Sequence, residues 1–187
     1  MSIKLQDIST TSNLDLTDKV LISDGTAEHL VTVETFLGRM STLFQGLQAS
    51  GTQTITTGYT MQKIALVNNG VEVPSGDSGM SIVSGGVKVT AMGSYKITAN
   101  AYIVPSNVAK NCGIYVFYGS TFTDGDAPDT GATELCGVFD THSYSSIVQV
   151  TGIVMNVPAN TIFWLVGRAS DATCTAQNGW LLVERLA

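Results

Sequence analysis

Charge is what this sequence has least of. Asp, Glu, Lys and Arg make up 13% of 187 residues while 44% are hydrophobic, and a soluble domain ordinarily carries about a quarter charged residues. So few charged groups leave part of the folded surface apolar, and such a surface is normally covered by a membrane or by another subunit. Long apolar runs are missing too. No stretch of about 18 consecutive apolar residues occurs, so a membrane is not an expected partner and subunit contact is. Basic clusters are absent, the net charge is −6 and the pI about 4.6, so nucleic acid is not an expected partner either.

The N-terminal "MSIKLQDIST" has no apolar run, and a secretory signal peptide is not expected from it. Cysteine is scarce and odd in number. Cys112, Cys136 and Cys174 are widely spaced and match no zinc pattern, which suggests reduced, buried thiols made in a cytosol.

Complete catalytic signatures are lacking as well. "GDSG" at 76–79 spells the sequence around the nucleophilic serine of trypsin-like proteases, which also need a histidine and an aspartate upstream. His29 is the only upstream histidine and lies in the N-terminal segment, while His142 follows Ser78. The protease pattern continues with Gly and Pro where this chain has Met80 and Ser81, and Pro74 just precedes, so Ser78 is expected to be a turn residue. "TDGDAPDTG" brings Asp124, Asp126 and Asp129 together, oxygen ligands of the kind calcium takes. Their spacing fails the EF-hand pattern. A solvated loop is the expectation and a calcium site the alternative. His142 and Tyr144, with Asp140 nearby, read as surface-loop residues. No catalytic residue, cofactor or nucleotide fingerprint is expected, and the chain does not read as an enzyme.

What is present changes character near residue 50. Before it, the β runs 20–23 and 29–33 flank the turn pair Asp24-Gly25. A helix is then predicted over 33–48, with Val33, Phe36, Met40, Leu43 and Leu47 spaced 3, 4, 3 and 4 apart as in a heptad seam. Gly38 and Gly46 weaken it, so it either docks on its own hairpin or self-associates. The small, polar stretch 48–58 reads as a junction, giving an N-terminal segment 1–50 and a head domain 51–187.

From residue 51 about eight strands are expected, with turn signals at "NNG", "SGDSG", "VPSN", "TDGDAPDTG", "VPAN" and "AQNG". Val87, Val89 and Ala91, then Tyr95, Ile97, Ala99, Ala101 and Ile103, alternate with polar residues as in a half-buried antiparallel strand. "GIYVFY" (113–118), "TIFWLV" (161–166) and "WLLV" (180–183) are apolar on both sides, and a second subunit is the expected cover. That makes Tyr115, Phe117, Phe163, Leu165, Trp180 and Leu182 the expected oligomer contacts. Many short strands with this punctuation suggest a sandwich or jelly roll.

"VTAMGSYKITANAYI", "VPANTIFWLVGRAS" and "GWLLVERLA" together resemble the strand signatures of C1q/TNF-like jelly-roll heads over about residues 55–187. Ala159-Asn160 stands where that family usually has Gly-Asp, and no Gly-X-Y stalk precedes. The resemblance implies a mainly β antiparallel jelly roll and a homotrimer packed by apolar and aromatic residues. "LDLTDKVLISDGTAEHLVTVETFLGRM" is similar to N-terminal attachment segments of phage tail and head fibre proteins. The two resemblances together imply a structural virion protein, assembled in the host cytoplasm, whose N-terminus joins other virion proteins and whose head projects. The alternative is an adhesin that binds a host-surface glycan or protein through loops 105–111, 119–134 and 140–146, expected at one end of the head.

Overall fold

Strands of two to three alternations with frequent turns can bury an apolar side only by facing another sheet, and that is the arrangement in the computed structural model. It describes residues 19–23, 28–32, 42–56, 58, 60–73, 79–106, 110–125, 131–142, 144–170 and 173–186. The chain forms two compact units, Met1–Ser41 with Ala187, and Thr42–Leu186.

In the first unit β1 (Lys19–Ser23) pairs antiparallel with β2 (Glu28–Thr32). Ser23 lies opposite Glu28, so the connection holds four residues rather than the Asp24-Gly25 pair alone. The hairpin expected from the sequence is present.

The helix expected over 33–48 is not. Val33, Phe36 and Met40 lie outside the described residues, and Leu43 and Leu47 belong to strand β3 (Thr42–Gln48) of the second unit. A four-residue spacing fits one face of a strand as well as one face of a helix. Leu43, Gln45 and Leu47 point one way, while Phe44 and Gly46 are buried on the other. Gly46 costs a helix about 1 kcal/mol, and here its missing side chain leaves room for Ile82, whose Cδ1 would sit 3.0 Å from an added Cβ. Strand β3 therefore lies before the boundary placed at 50/51.

The remaining strands are β4 (Thr52–Ile55), β5 (Met61–Lys63), β6 (Leu66–Val73), β7 (Met80–Val83), β8 (Gly86–Val89), β9 (Gly93–Pro105), β10 (Lys110–Gly119), β11 (Ala132–His142), β12 (Ser146–Val157), β13 (Ile162–Ala169) and β14 (Cys174–Leu186). One six-stranded sheet runs β11-β10-β13-β8-β7 with β5 also on β13; the other runs β12-β9-β14-β3-β6 with β4 also on β14. Every pairing is antiparallel.

Between the sheets lies the core expected from strand β9: Tyr95, Ile97, Ala99, Ala101 and Ile103 are buried against Val87, Val89, Ile114, Val116, Phe163, Leu165, Leu181 and Val183. Each large side chain so buried contributes about 1.5–3 kcal/mol. The one phenol among them is satisfied, its hydroxyl donating to the Ala91 carbonyl at 2.6 Å.

Not every turn signal makes a turn. "NNG" lies inside β6, and "AQNG" is a bulge in β14, where the register shifts between Gln177 and Trp180 and Asn178 takes φ 51°. "VPAN" does turn, with Asn160 at φ 67°. Ser78 lies outside the described residues, next to Gly79 at φ 65°.

Candidate assembly face

The two sheets differ in what covers their outward sides. On β10 and β13 the outward residues Tyr115, Phe117, Ile162, Trp164 and Val166 form a second buried cluster with Met61 and Phe122. Phe122, from the segment after β10, sits 5.3 Å from Phe117 and 5.8 Å from Trp164, ring to ring. Its segment is clamped to β5: Met61 and Gly125 exchange backbone hydrogen bonds, the Lys63 amide donates to Asp124 Oδ1 at 2.9 Å, and Lys63 Nζ donates to the Phe122 carbonyl at 3.0 Å. Tyr115 is seated directly on Gly137 of β11, where an added Cβ would collide with its ring.

This corrects the reading of β10 and β13 as subunit-covered strands. Tyr115, Phe117, Phe163 and Leu165 are 7%, 0%, 0% and 0% exposed within a single chain, so they have almost no surface to give a partner. Tyr115 and Phe117 are covered by the chain's own Phe122 and Met61, and Phe163 and Leu165 face the core between the sheets. A local sequence window cannot register that Met61, far upstream, joins Phe122 in this lid.

The β12-β9-β14-β3-β6 sheet has no such lid among the described residues. Its outward side chains can be followed across the strands by register. One row runs Gln149, Asn100, Trp180, Leu47 and Val67; the next Thr151, Thr98, Leu182 and Gln45; the next Ile153, Lys96, Glu184 and Leu43. Ile147 lies opposite Tyr102 beyond the first row, and Met155 lies beyond Ile153 on β12. Ile147, Ile153, Met155 and Val67 are 70%, 57%, 65% and 46% exposed, and Trp180, Leu182, Leu43, Leu47 and Tyr102 are half-buried. Of the six expected contacts, Trp180 and Leu182 lie on this face.

Polar residues here pair with one another. Lys96 Nζ lies 3.7 Å from Glu184 Oε2, and the Thr151 and Thr98 hydroxyls are 3.4 Å apart. Above Trp180 a groove of about 540 Å³ opens, lined in part by Leu47, Tyr102, Ile147 and Trp180. The β14 bulge shapes it. Gln48 fixes that bulge by donating Nε2 to the Ala176 carbonyl at 2.9 Å and accepting from the Gly179 amide at 2.8 Å. Ile147, Ile153 and Met155 escaped the sequence reading, although their alternation with Val148, Val150 and Val157 was visible, because apolar residues on both sides of a strand look the same as a doubly buried one.

The other sequence candidates are dispersed. Asp124 is spent on the Lys63 clamp, and Asp126 and Asp129 lie outside the described residues. No group of three or more His, Cys, Asp and Glu side chains able to hold a metal ion occurs among the described residues. His29 lies in β2 and His142 at the end of β11 opposite Lys110, in different units of the chain. The three connections proposed for adhesion do not share an end. β10 runs from Lys110, opposite His142, to Gly119, opposite Ala132, so 105–111 and 140–146 lie at one end and 119–134 at the other.

No protein-family model matches the sequence, and no curated relative does. Solved structures match the fold. Murine APRIL aligns at TM-score 0.56 and 10% identity over 78% of this chain and 99% of its own. Eiger TNF from S. frugiperda aligns at TM-score 0.51 and 14% identity over 79% of this chain and 92% of its own. The PRD1 vertex protein P5 aligns at 0.46 and 11% identity over 78% and 97%, too low a similarity to add to the assignment. The fold is a TNF-like jelly roll.

Proposed function

We propose that this protein is a homotrimeric structural component of a phage virion, a short head or tail fibre or decoration protein whose jelly-roll head assembles through the β12-β9-β14-β3-β6 face. The observation that carries the assembly is the row of exposed Ile147, Ile153, Met155 and Val67 around half-buried Trp180 and Leu182, on a chain with too little charge to keep such a face solvated. Three copies meeting at one axis cover the face on each, and apolar and aromatic residues are what a permanent interface uses. The role is read as binding rather than catalytic, in keeping with the exposed apolar residues of this face and the groove above Trp180, lined in part by Leu47, Tyr102 and Ile147. The virion setting rests on the fibre-like segment around β1 and β2, which would join the head to other virion proteins.

Light scattering on the full chain at micromolar concentration tests the assembly: a trimer is expected, and a stable, soluble monomer overturns it. Immunolabelling of purified particles tests the setting, and particles without label overturn it. A second reading, adhesion to a host-surface glycan or protein, is favoured by Tyr144, 81% exposed between β11 and β12, since an exposed aromatic can stack on a sugar ring. Under that reading, Tyr144→Ala reduces binding to host cells and leaves assembly intact.

A further inference from the structure

At one end of the sandwich the chain crosses twice between the sheets, from β9 to β10 and from β13 to β14. The two crossings are tied together: the Ser106 amide donates to the Thr173 carbonyl at 3.0 Å, and the Ser170 amide to the Asn111 carbonyl at 3.0 Å. Just inside these bonds lie Cys112, opposite Ala169 on β13, and Cys174, opposite Pro105 on β9. They are 1% and 2% exposed, belong to the same core cluster, and their side chains hydrogen-bond to each other across the gap between the sheets. The first bond continues the β9–β14 ladder and the second the β10–β13 ladder, so both crossings leave the sandwich at the same end, with Cys112 on one sheet and Cys174 on the other.

We propose that Cys112 and Cys174 form an inter-sheet disulfide site: thiols in a reducing compartment, closing to a single bridge when the protein exchanges with a low-molecular-weight disulfide such as oxidised glutathione. Two S–H bonds break and one S–S bond forms. The two electrons and two protons pass to the external disulfide, whose own S–S bond breaks to give two thiols. The hydrogen bond from Cys174 lowers the Cys112 thiol below its ordinary range, and the same bond raises Cys174. Cys112 is therefore the first attacking sulfur, and Cys174 resolves the mixed disulfide. Because both are buried, attack waits on local opening of the crossing end, so exchange is slow in the native protein and fast during refolding. Cys136 is no competitor. It lies on β11 opposite Val116, four positions along β10 from Cys112, a separation of about 13 Å at the usual strand rise. Burial first, and then the nearby Glu134 carboxylate, hold its thiol above the ordinary range. The site stands independently of the virion reading.

The test is to refold the full chain in oxidised and in reduced glutathione, then count free thiols and map peptides without reduction. One free thiol, at Cys136, and a linked Cys112–Cys174 peptide are expected. Closing a loop of about 60 residues should raise Tm by about 10 °C, reversed by dithiothreitol. Cys136→Ser should show the same rise, and Cys112→Ala none. Should Cys112→Ala fail to fold, the thiol count and peptide map of the unaltered chain decide alone. Three free thiols in a natively melting protein refolded with oxidised glutathione, or a bridge that includes Cys136, overturn the proposal.

Discussion

Both sheets of this sandwich carry apolar residues on the side away from the core, and among the described residues only one has those residues covered from within the chain. The β10 and β13 side holds Tyr115, Phe117 and Trp164 under Phe122 and Met61, whereas the β12, β9, β14 and β3 side leaves Ile147, Ile153 and Met155 open. An apolar outward face thus has two physical outcomes. Where a segment of the same chain can reach it and be pinned, as Asp124 and Lys63 pin Phe122, the face becomes a second core. Where no described segment reaches, the face stays open. Low charge belongs to both outcomes and does not separate them.

The largest test removes the strand that completes the open sheet. A chain beginning at Gly51 lacks β3, and with it the pairing to β14 and β6 and the fully buried Phe44. Loss of such an aromatic alone costs about 3–5 kcal/mol, against a total of about 5–15 kcal/mol for a domain. That chain should show no cooperative melt, while one beginning at Thr42 keeps it; circular dichroism on both decides.

Next comes the lid. Phe122→Ala should lower stability by about 3–5 kcal/mol and red-shift tryptophan emission as Trp164 meets water, with the oligomeric state unchanged. A change of oligomeric state would show that the covered side also serves assembly.

Charge placed on the open face should act the other way. Leu182→Glu puts a carboxylate between Thr98 and Gln45. Assembly should weaken by at least about a hundredfold, the scale of a hot-spot loss. A melt of the separated chain should move by no more than about 0.5 kcal/mol. Light scattering read beside the melt separates the two effects.

The smallest effect sharpens the comparison most. Lys96 and Glu184 are 46% and 29% exposed in the single chain, where such a pair contributes about 0–1 kcal/mol. Lys96→Ala should therefore barely move the melt of the separated chain. In the assembled protein a loss of about 3–5 kcal/mol is expected if a partner has covered the pair, because Glu184 is then buried unpaired.

The β9 alternation was readable because one buried row, from Tyr95 to Ile103, faces one core, and period-two burial is a local signal. The segment 42–48 misled because Leu43 and Leu47 satisfy two periods at once, and only pairing with β14 and β6 selects the strand. Trp180, Leu182, Phe163 and Leu165 were all read as outward-facing residues from similar apolar runs, and only Trp180 and Leu182 lie on the open face.

By itself the sequence determined that the chain from about residue 51 onward would be β-rich, antiparallel and short of charge, with an apolar surface needing cover, since those properties follow from composition and spacing. The tertiary structure alone decided where that surface lies. Phe122 and Phe117 are close in the chain, but Met61 comes from far upstream, and Cys112 and Cys174, far apart in sequence, come to the same end of the sandwich on opposite sheets. Which face is covered from within and which stays open among the described residues depends on contacts between residues distant in sequence, and no local pattern encodes the loop path that brings them together.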